Sequence, residues 1–384
     1  MRIIHLGDLH LGKTLGEYSL IRDQEYILNQ ILDIVKEKDV NAVLIAGDVY
    51  DRSLPSEAAV NLLDSFLSKL AAMCIKTYII SGNHDSEDRL EYGSRLFSSR
   101  GIHITSKFNG ELVKATTEDE FGELNIYMLP FIKASRVRYY CNDNSIETYE
   151  DAVRTVIEQA DVDWSERNIL IAHQFVTGDS SPQIAGSEGA SVQNVGLVEQ
   201  ISSEIFKDFD YVALGHLHSP QSVGYDHIRY SGSVLKYSLN EAFSSKSVPL
   251  INIGEKGSVE IELLRLSPFR DLRHITGKLN QILKEENIVD PDDYIYVTLT
   301  DEEIINDVMG IVQQYYLNTV KIDYQNSHTK EIENFDIGDI VSDKSFEEII
   351  SDFYLKMYGV DISDEELDVM MSVAREAGVI NEAD

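Results

Sequence analysis

Through the first 250 positions apolar residues fall in short runs of strand length. The runs are Ile3 to Leu6, Ala42 to Ala46, Thr77 to Ile80, Ile126 to Leu129, Ile169 to Ala172 and Tyr211 to Leu214. Runs of this kind are how strands buried on both faces read. Between the early runs the period changes. Asp23 to Lys38 places Ile27, Ile31, Leu32 and Val35 on one helical face, and Ser56 to Met73 opens on Pro55-Ser56, a helix-start signal. Strand and helix in alternation predict a layered α/β fold.

From about Phe269 the texture becomes strand, helix, strand, helix, strand: near Leu272 to Ile275, Gly277 to Glu286, Tyr294 to Thr298, Asp301 to Tyr316 and Thr319 to Tyr324. This predicts a principal domain over 1–268 and a small α/β domain over 269–325. A polar, acidic linker is expected over 326–344. Ser345 to Tyr358 and Ser363 to Ala377 then repeat apolar residues at helical spacing on either side of Gly359, a helical pair within 345–384. There is no internal repeat and no low-complexity tract.

Composition narrows the class. Of 384 residues 43% are hydrophobic, yet no run approaches the roughly eighteen apolar residues of a membrane span, and the start does not read as a signal peptide. The expectation is a cytoplasmic protein with no membrane contact, nucleoid-associated when working. Cys74 and Cys141 stand far apart without metal spacing, so neither a disulfide framework nor a thiolate site is expected. The net charge of −33 argues against an unaided grip on nucleic acid. It is uneven, with 16 acidic against 3 basic residues in 331–384, but residues 1–330 still carry −20. Binding of phosphate must then rest on divalent cations, on a partner chain, or on a local basic cluster such as Lys133, Arg136 and Arg138.

Five of the apolar runs end in metal-ligand side chains: Asp8-Leu9-His10, Gly47-Asp48, Gly82-Asn83-His84-Asp85, His173, and Gly215-His216-Leu217-His218. The carboxyl ends of strands in an open α/β sheet lie along one edge, so these distant residues can converge there. Glycine at three of the ends permits sharp turns and close approach to an ion. Asp8, His10, Asp48, Asn83, His173, His216 and His218 supply oxygen and imidazole donors, a mixture that suits manganese, iron or zinc better than calcium or magnesium. Seven ligands exceed one first-row ion and suffice for two if one carboxylate bridges. Two cations about 3.5–4 Å apart would clamp a phosphoryl oxygen and generate a hydroxide nucleophile. His84 is left beside them with Asp85 next to it. His5 sits inside a strand and reads as core, though close to the site; His103, His227, His274 and His328 lack ligand-like neighbours and read as structural or solvated, and neither a Walker pattern nor GxGxxG points to ATP.

The order DxH, GD, GNHD, H, GHxH resembles that of the calcineurin-like metallophosphoesterases. The stretches HLGDLHLGK, LIAGDVYDRSLPS, ISGNHDSEDRL, ILIAHQFVTG, FDYVALGHLHSPQ and IRYSGSVLKYS are similar to the SbcD-type nucleases within that family, over residues 1 to 245. Beyond them the likeness is one of layout. The resemblance implies a layered metallophosphoesterase β-sandwich flanked by helices, with a small α/β capping domain and a C-terminal helical pair. It implies that Asp8, His10, Asp48 and His218 hold one ion and Asp48, Asn83, His173 and His216 the other, with Asp48 bridging. His84 would contact the scissile phosphate, and Asp85 would position its ring. Asp51 stands where some relatives carry a His that assists with the DNA phosphate. Manganese is the implied metal. The implied activity is exonuclease action on double-stranded ends and endonuclease action on single strands and hairpins, in DNA repair, recombination and replication. The implied partners are DNA and an SMC-like ATPase of the SbcC type held through 345–384, in a heterotetramer built on a homodimer of nuclease subunits.

Two rival readings remain at this level. An enzyme of the same chemistry acting on a small phosphodiester or a phosphoprotein suits the acidic charge, but leaves the second α/β domain and the appended helices without a use. A scaffold on the same fold that had lost catalysis should lack ligands, and none is missing.

Overall fold

The computed structural model describes residues 1–178, 181–185, 200–327, 345–358 and 361–376. It divides into two compact units, Met1–His274 with Asp292–Ile295, and Ile275–Pro291 with Tyr296–Asp384.

The first unit is built on twelve strands: β1 (Arg2–Leu6), β2 (Ala42–Ala46), β3 (Lys76–Ile80), β4 (Ile102–Thr105), β5 (Val113–Asp119), β6 (Gly122–Leu129), β7 (Arg167–His173), β8 (Tyr211–Gly215), β9 (Gln221–Val223), β10 (Tyr225–Tyr230), β11 (Ser247–Ile253) and β12 (Val259–Arg265). They form two six-stranded sheets, ordered β12-β11-β1-β2-β3-β4 and β9-β10-β8-β7-β6-β5. β1 to β4 run parallel, as do β6, β7, β8 and β10; antiparallel strands close the sheets at β11, β12, β5 and β9. Side chains alternate across a strand, so a run that is apolar throughout must be covered twice. Ile3, Leu44, Tyr78 and Ile80 meet Ile126, Met128, Ile169, Ile171 and Tyr211 of the other sheet in one core. Their neighbours Leu129, Leu170, Val212 and Leu214 pack on a second core with Val137 and Val153. Those two valines belong to helices Ala134–Cys141 and Tyr149–Gln159. Helices α1 (Ile21–Glu37) and α2 (Glu57–Ala72) bury Ile27, Ile31, Leu32, Val35 and Leu63, Phe66, Leu70. The layers are helix, sheet, sheet, helix. Each fully buried side chain of this size contributes about 1.5–3 kcal/mol, which makes the strand ends a stiff platform.

The six apolar runs are all strands, and α1 and α2 lie within two residues of the expected spans. Ser56 caps α2, its hydroxyl accepting the Ala59 N–H at 3.3 Å. Six further strands, β4, β5 and β9 to β12, are not among the expected runs; β12, for example, interrupts its apolar positions with exposed Glu260 and Glu262 on either side of half-buried Ile261.

A three-stranded sheet, most of whose residues belong to the second unit, runs in the order Leu272–Gly277, Tyr294–Leu299, Asn318–Tyr324. The two helices expected between these strands are shorter than their apolar spacing suggests, Leu279–Ile282 and Val308–Gln313. Residues 301 to 307 have other bonding. The Asp301 carboxylate accepts the Leu279 N–H (2.8 Å), the Ile305 N–H goes to the Tyr324 hydroxyl (3.1 Å), and Asp307 has a left-handed backbone. Helices Phe346–Tyr358 and Asp364–Glu376 follow, joined by the Tyr354 hydroxyl donating to Glu366 at 2.9 Å. The acidic stretch expected over 326–344 lies, but for Asn326 and Ser327, outside the described residues, as does His328. No helix among the described residues is long and apolar enough to cross a membrane.

Candidate metal centre

β1, β2 and β3 are parallel, as are β7 and β8, and the loops that leave their carboxyl ends meet. All seven candidate ligands come together there. Asp8, His10 and His218 offer donor atoms within 4.8 Å of one another, and so do Asp8, Asp48 and His173. His10 Nε2 stands 3.0 Å from His218 Nε2, while Asn83 Oδ1 is 3.0 Å from both His173 Nε2 and His216 Nδ1. Asp48 lies between the two groups, its Oδ2 3.4 Å from His173 Nε2 and 3.6 Å from His10 Nε2.

The backbone reaches this arrangement at a cost. Asp8, His10, Asp48 and His216 all take positive φ, which for residues other than glycine marks a conformation held by its surroundings. Those surroundings are specific. The His10 and Leu11 N–H groups donate to the carbonyls of Asp48 and Val49 at 2.9 Å, tying the first loop to the second. The His216 N–H donates to the Asp8 carboxylate at 2.9 Å, tying the last loop to the first. The His84 N–H donates to Asp48 Oδ1 at 2.9 Å.

Burial sets the protonation of the imidazoles. It pushes His10 and His216 down to about 3 and His218 well below the usual value, so all three are neutral. At His173 burial is outweighed by the Asp48 carboxylate, which lifts it to about 9. Burial opposes the charge on Asp48 as well, but His173 beside it holds the carboxyl well below its ordinary range. Four imidazoles, an amide oxygen and two buried carboxylates thus point their donor atoms into one small space, an arrangement that suits cations. The donor set and its spacing fit two divalent metals. His173 is already oriented for one: its Nδ1 donates to the Ala46 carbonyl at 2.8 Å, which leaves Nε2 for the site.

His84 and Asp85 depart from expectation. The Asp85 carboxylate accepts the N–H groups of Val49 (3.1 Å), Tyr50 (2.9 Å) and Gly82 (2.9 Å), and so clamps the Gly82 loop to the loop after β2. Burial and the nearby Asp48 charge raise it to about 6 despite those three donors. The His84 ring is instead held by the main chain of Asp51, whose carbonyl lies 2.9 Å from Nδ1. The Asp51 side chain is bound by Lys13 at 2.8 Å and approaches His10 Nδ1 at 3.6 Å. The basic cluster also resolves differently. Arg136 forms a two-pronged pair with Glu87 (2.7 and 2.9 Å) and Arg138 donates to the Ile146 carbonyl, so of the three only the Lys133 side chain has no partner among the described residues.

Several supports gave no signal in the sequence. Gln24 on α1 donates to the His10 carbonyl (2.8 Å) and accepts the Gly12 N–H (2.9 Å), and the Tyr237 hydroxyl donates to Leu9 O (2.5 Å), fixing the first loop from below. Behind His218 the buried Lys246 donates to the His218 carbonyl (2.8 Å) and to Glu241 (2.5 Å), whose other oxygen is 4.0 Å from His218 Nδ1.

The glycines carry a direct test. A β-carbon on Gly82 would lie 2.1 Å from Asp48 Oδ1 and 2.4 Å from the Asp48 backbone nitrogen. Gly82→Ala should therefore displace the Asp48 carboxylate by something like an ångström and reduce turnover on the order of a hundredfold. Metal content should fall with it, while circular dichroism stays native. Unchanged metal content would show that the loop yields without cost.

Residues 1–220 match the family described as calcineurin-like phosphoesterase, more than half of the chain, and the protein belongs to that family of metal-dependent hydrolases. Residues 268–358 match a second family, SbcD_C, described as the type 5 capsule protein repressor C-terminal domain, and the two together support an SbcD-like protein. Among solved structures a dimetal phosphatase from Danio rerio is similar at 11% identity and a TM-score of 0.36, covering 70% of this chain and 99% of its own.

Proposed function

We propose that this chain is the nuclease subunit of an SbcD-type complex, a di-metal phosphodiesterase that cuts DNA. The observation that carries this reading is the meeting of Asp8, His10, Asp48, Asn83, His173, His216 and His218 at one sheet edge, in a chain whose later part matches SbcD_C. Asp8, His10, Asp48 and His218 would hold one ion and Asp48, Asn83, His173 and His216 the other, with manganese the ion expected to work in the cell. Such a pair supplies Lewis-acid polarisation of a phosphoryl oxygen and a water of lowered pKa. His84, at the more open side of the site, would act on the phosphate, with its ring aimed by Asp51 and its loop held by Asp85. Duplex ends, single strands and hairpins are the expected substrates. The domain scheme that goes with this reading is 1–268 for the nuclease, 269–325 for a cap, 326–344 for a linker and 345–384 for the partner-binding pair.

The assay is cleavage of a labelled duplex, a labelled single strand and a small chromogenic phosphodiester, each with and without manganese. Manganese-dependent cutting of DNA supports the proposal. Hydrolysis of the small ester alone favours the rival small-substrate enzyme.

The C-terminal helices bear on the partner. Leu355, Val369, Met370 and Val373 are exposed, while Leu367 and Met371 are half-buried. Amphipathic helices that leave this much apolar surface uncovered suit a helix-in-groove contact with an SMC-like ATPase of the SbcC type. Truncation after Asp343 should abolish co-purification with that ATPase and leave manganese-dependent cutting of single strands within about threefold. Full-affinity binding by the truncated protein would refute the assignment.

A further inference from the structure

We infer that the cavity next to Asn83 and His216 receives the nucleobase of the nucleotide under attack, with Phe131, Tyr149 and Phe175 as its aromatic wall. This rests on the nuclease reading above and adds to it a base-recognition site. The cavity measures about 270 Å³, and Asn83 and His216 belong both to its lining and to the metal centre. A molecule whose phosphate is held at the metals therefore extends into it without a gap.

The lining is chemically unlike the centre it adjoins. Three rings contribute; Phe131 lies 6.3 Å from Tyr149 and 6.3 Å from the His173 ring, centroid to centroid. The Phe131 N–H donates to the Ser81 carbonyl at 2.9 Å, so the wall is fastened to the loop that carries Asn83. Lys133 is the cation of the lining, exposed and without an ion-pair partner among the described residues, whereas its neighbours Arg136 and Arg138 are spent on protein groups. Gln174 completes it, 1% exposed, with an Oε1 that has no hydrogen-bond partner among the described residues. Aromatic faces, an amide and a free ammonium together recognise a planar heterocycle attached to a phosphate backbone. An aliphatic phosphodiester has no group that uses the rings.

One consequence concerns DNA structure. A base seated between these rings is separated from its neighbours in the stack, so the attacked nucleotide must leave the helix before it is cut. Frayed ends and single strands should be cut faster than clamped, fully paired ends.

The test uses the full-length protein and single-stranded oligonucleotides whose cut position has been mapped with manganese. The nucleotide on either side of that phosphate is replaced in turn by a tetrahydrofuran abasic residue, or by 2-aminopurine for fluorescence in calcium. At one of the two positions the abasic substrate should lose about ten- to a hundredfold in kcat/KM, the size of one base stacked on an aromatic side chain. At the same position 2-aminopurine should be quenched on binding. Tyr149→Ala should shrink the ratio of base to abasic rates to within about threefold, and Tyr149→Phe should restore it. Equal rates for wild type on base and abasic strands, or an undiminished ratio in Tyr149→Ala, overturns the inference. Failure of wild type to cut any strand would instead condemn the nuclease reading, and in that case an unquenched 2-aminopurine overturns the base site as well.

Discussion

Replacing Asp48 with Ala should empty both halves of the metal centre at once. The carboxylate is almost fully buried and stands between the two imidazole groups, 3.6 Å from His10 on one side and 3.4 Å from His173 on the other. Its removal also strips negative charge from the place where two cations are expected to sit side by side. A second loss accompanies the first, since Asp48 Oδ1 accepts the His84 N–H and its absence frees the loop that carries Asn83. Turnover should fall by on the order of a thousandfold or more, a loss of several kcal/mol of transition-state stabilisation. Asp48→Asn separates the two effects, because the amide oxygen can still accept from His84 while the charge is gone. Metal analysis should find fewer than one tightly held ion per chain in both variants. Two tightly held ions in either variant would remove Asp48 from the bridging role. The fold should survive, because the Asp48 carboxylate accepts only one backbone N–H among the described residues, that of His84, and its burial as a charge is itself unfavourable.

The sequence showed where these residues gather because each candidate ligand stands at or a few residues beyond the end of an apolar strand, and parallel pairing then fixes where those ends go. Asp8 and Asp48 after β1 and β2, Asn83 after β3, His173 at the end of β7 and His216 after β8 needed no further information to be placed together. What could not be read is partnership across the fold. Arg136 next to Lys133 looked like part of a DNA-binding patch, yet it faces Glu87, 49 positions earlier in the chain. Asp85 next to His84 looked like its orienting carboxylate, yet successive residues in a loop point in different directions, and Asp85 turns to the backbone of Val49, Tyr50 and Gly82. Gln24, Tyr237 and Glu241 had no local pattern at all, because their positions matter only through loops more than a dozen residues away or on other elements. The missed strands follow the same rule. β5 and β12 are half exposed, so their polar alternation reads as loop unless the neighbouring strand is known.

His84→Ala should leave both metals in place and still lower the rate of DNA cleavage by about two to four orders of magnitude. The reasoning starts from its ring. A carbonyl can only accept, so the contact with Asp51 O at 2.9 Å makes Nδ1 the donor and leaves Nε2 as the nitrogen available to a substrate. The side chain is half-buried while Asp8, His10, His173 and His218 around it are closed off, and it packs edge-on against His10 at 4.9 Å between ring centroids. Its own backbone N–H is tied to Asp48, so its Cα is held even when the ring is removed. A ring fixed at Nδ1 and open at Nε2 can, in its doubly protonated form, give the Nε2 proton to an oxygen that leaves the phosphorus and remain as the neutral imidazole. The size of the defect should depend on how much that oxygen needs one. With DNA the leaving group is a sugar alkoxide, a strong base, and the loss should be large. With a 4-nitrophenyl ester the leaving phenolate is stable unprotonated, and the loss should shrink to about tenfold or less, the part due to contact with the phosphate. Parallel kinetics of wild type and variant on both substrates, together with metal analysis, give the answer. Equal losses on the two substrates would limit His84 to electrostatic contact, and a variant that cuts DNA at the wild-type rate would remove it from the chemistry altogether.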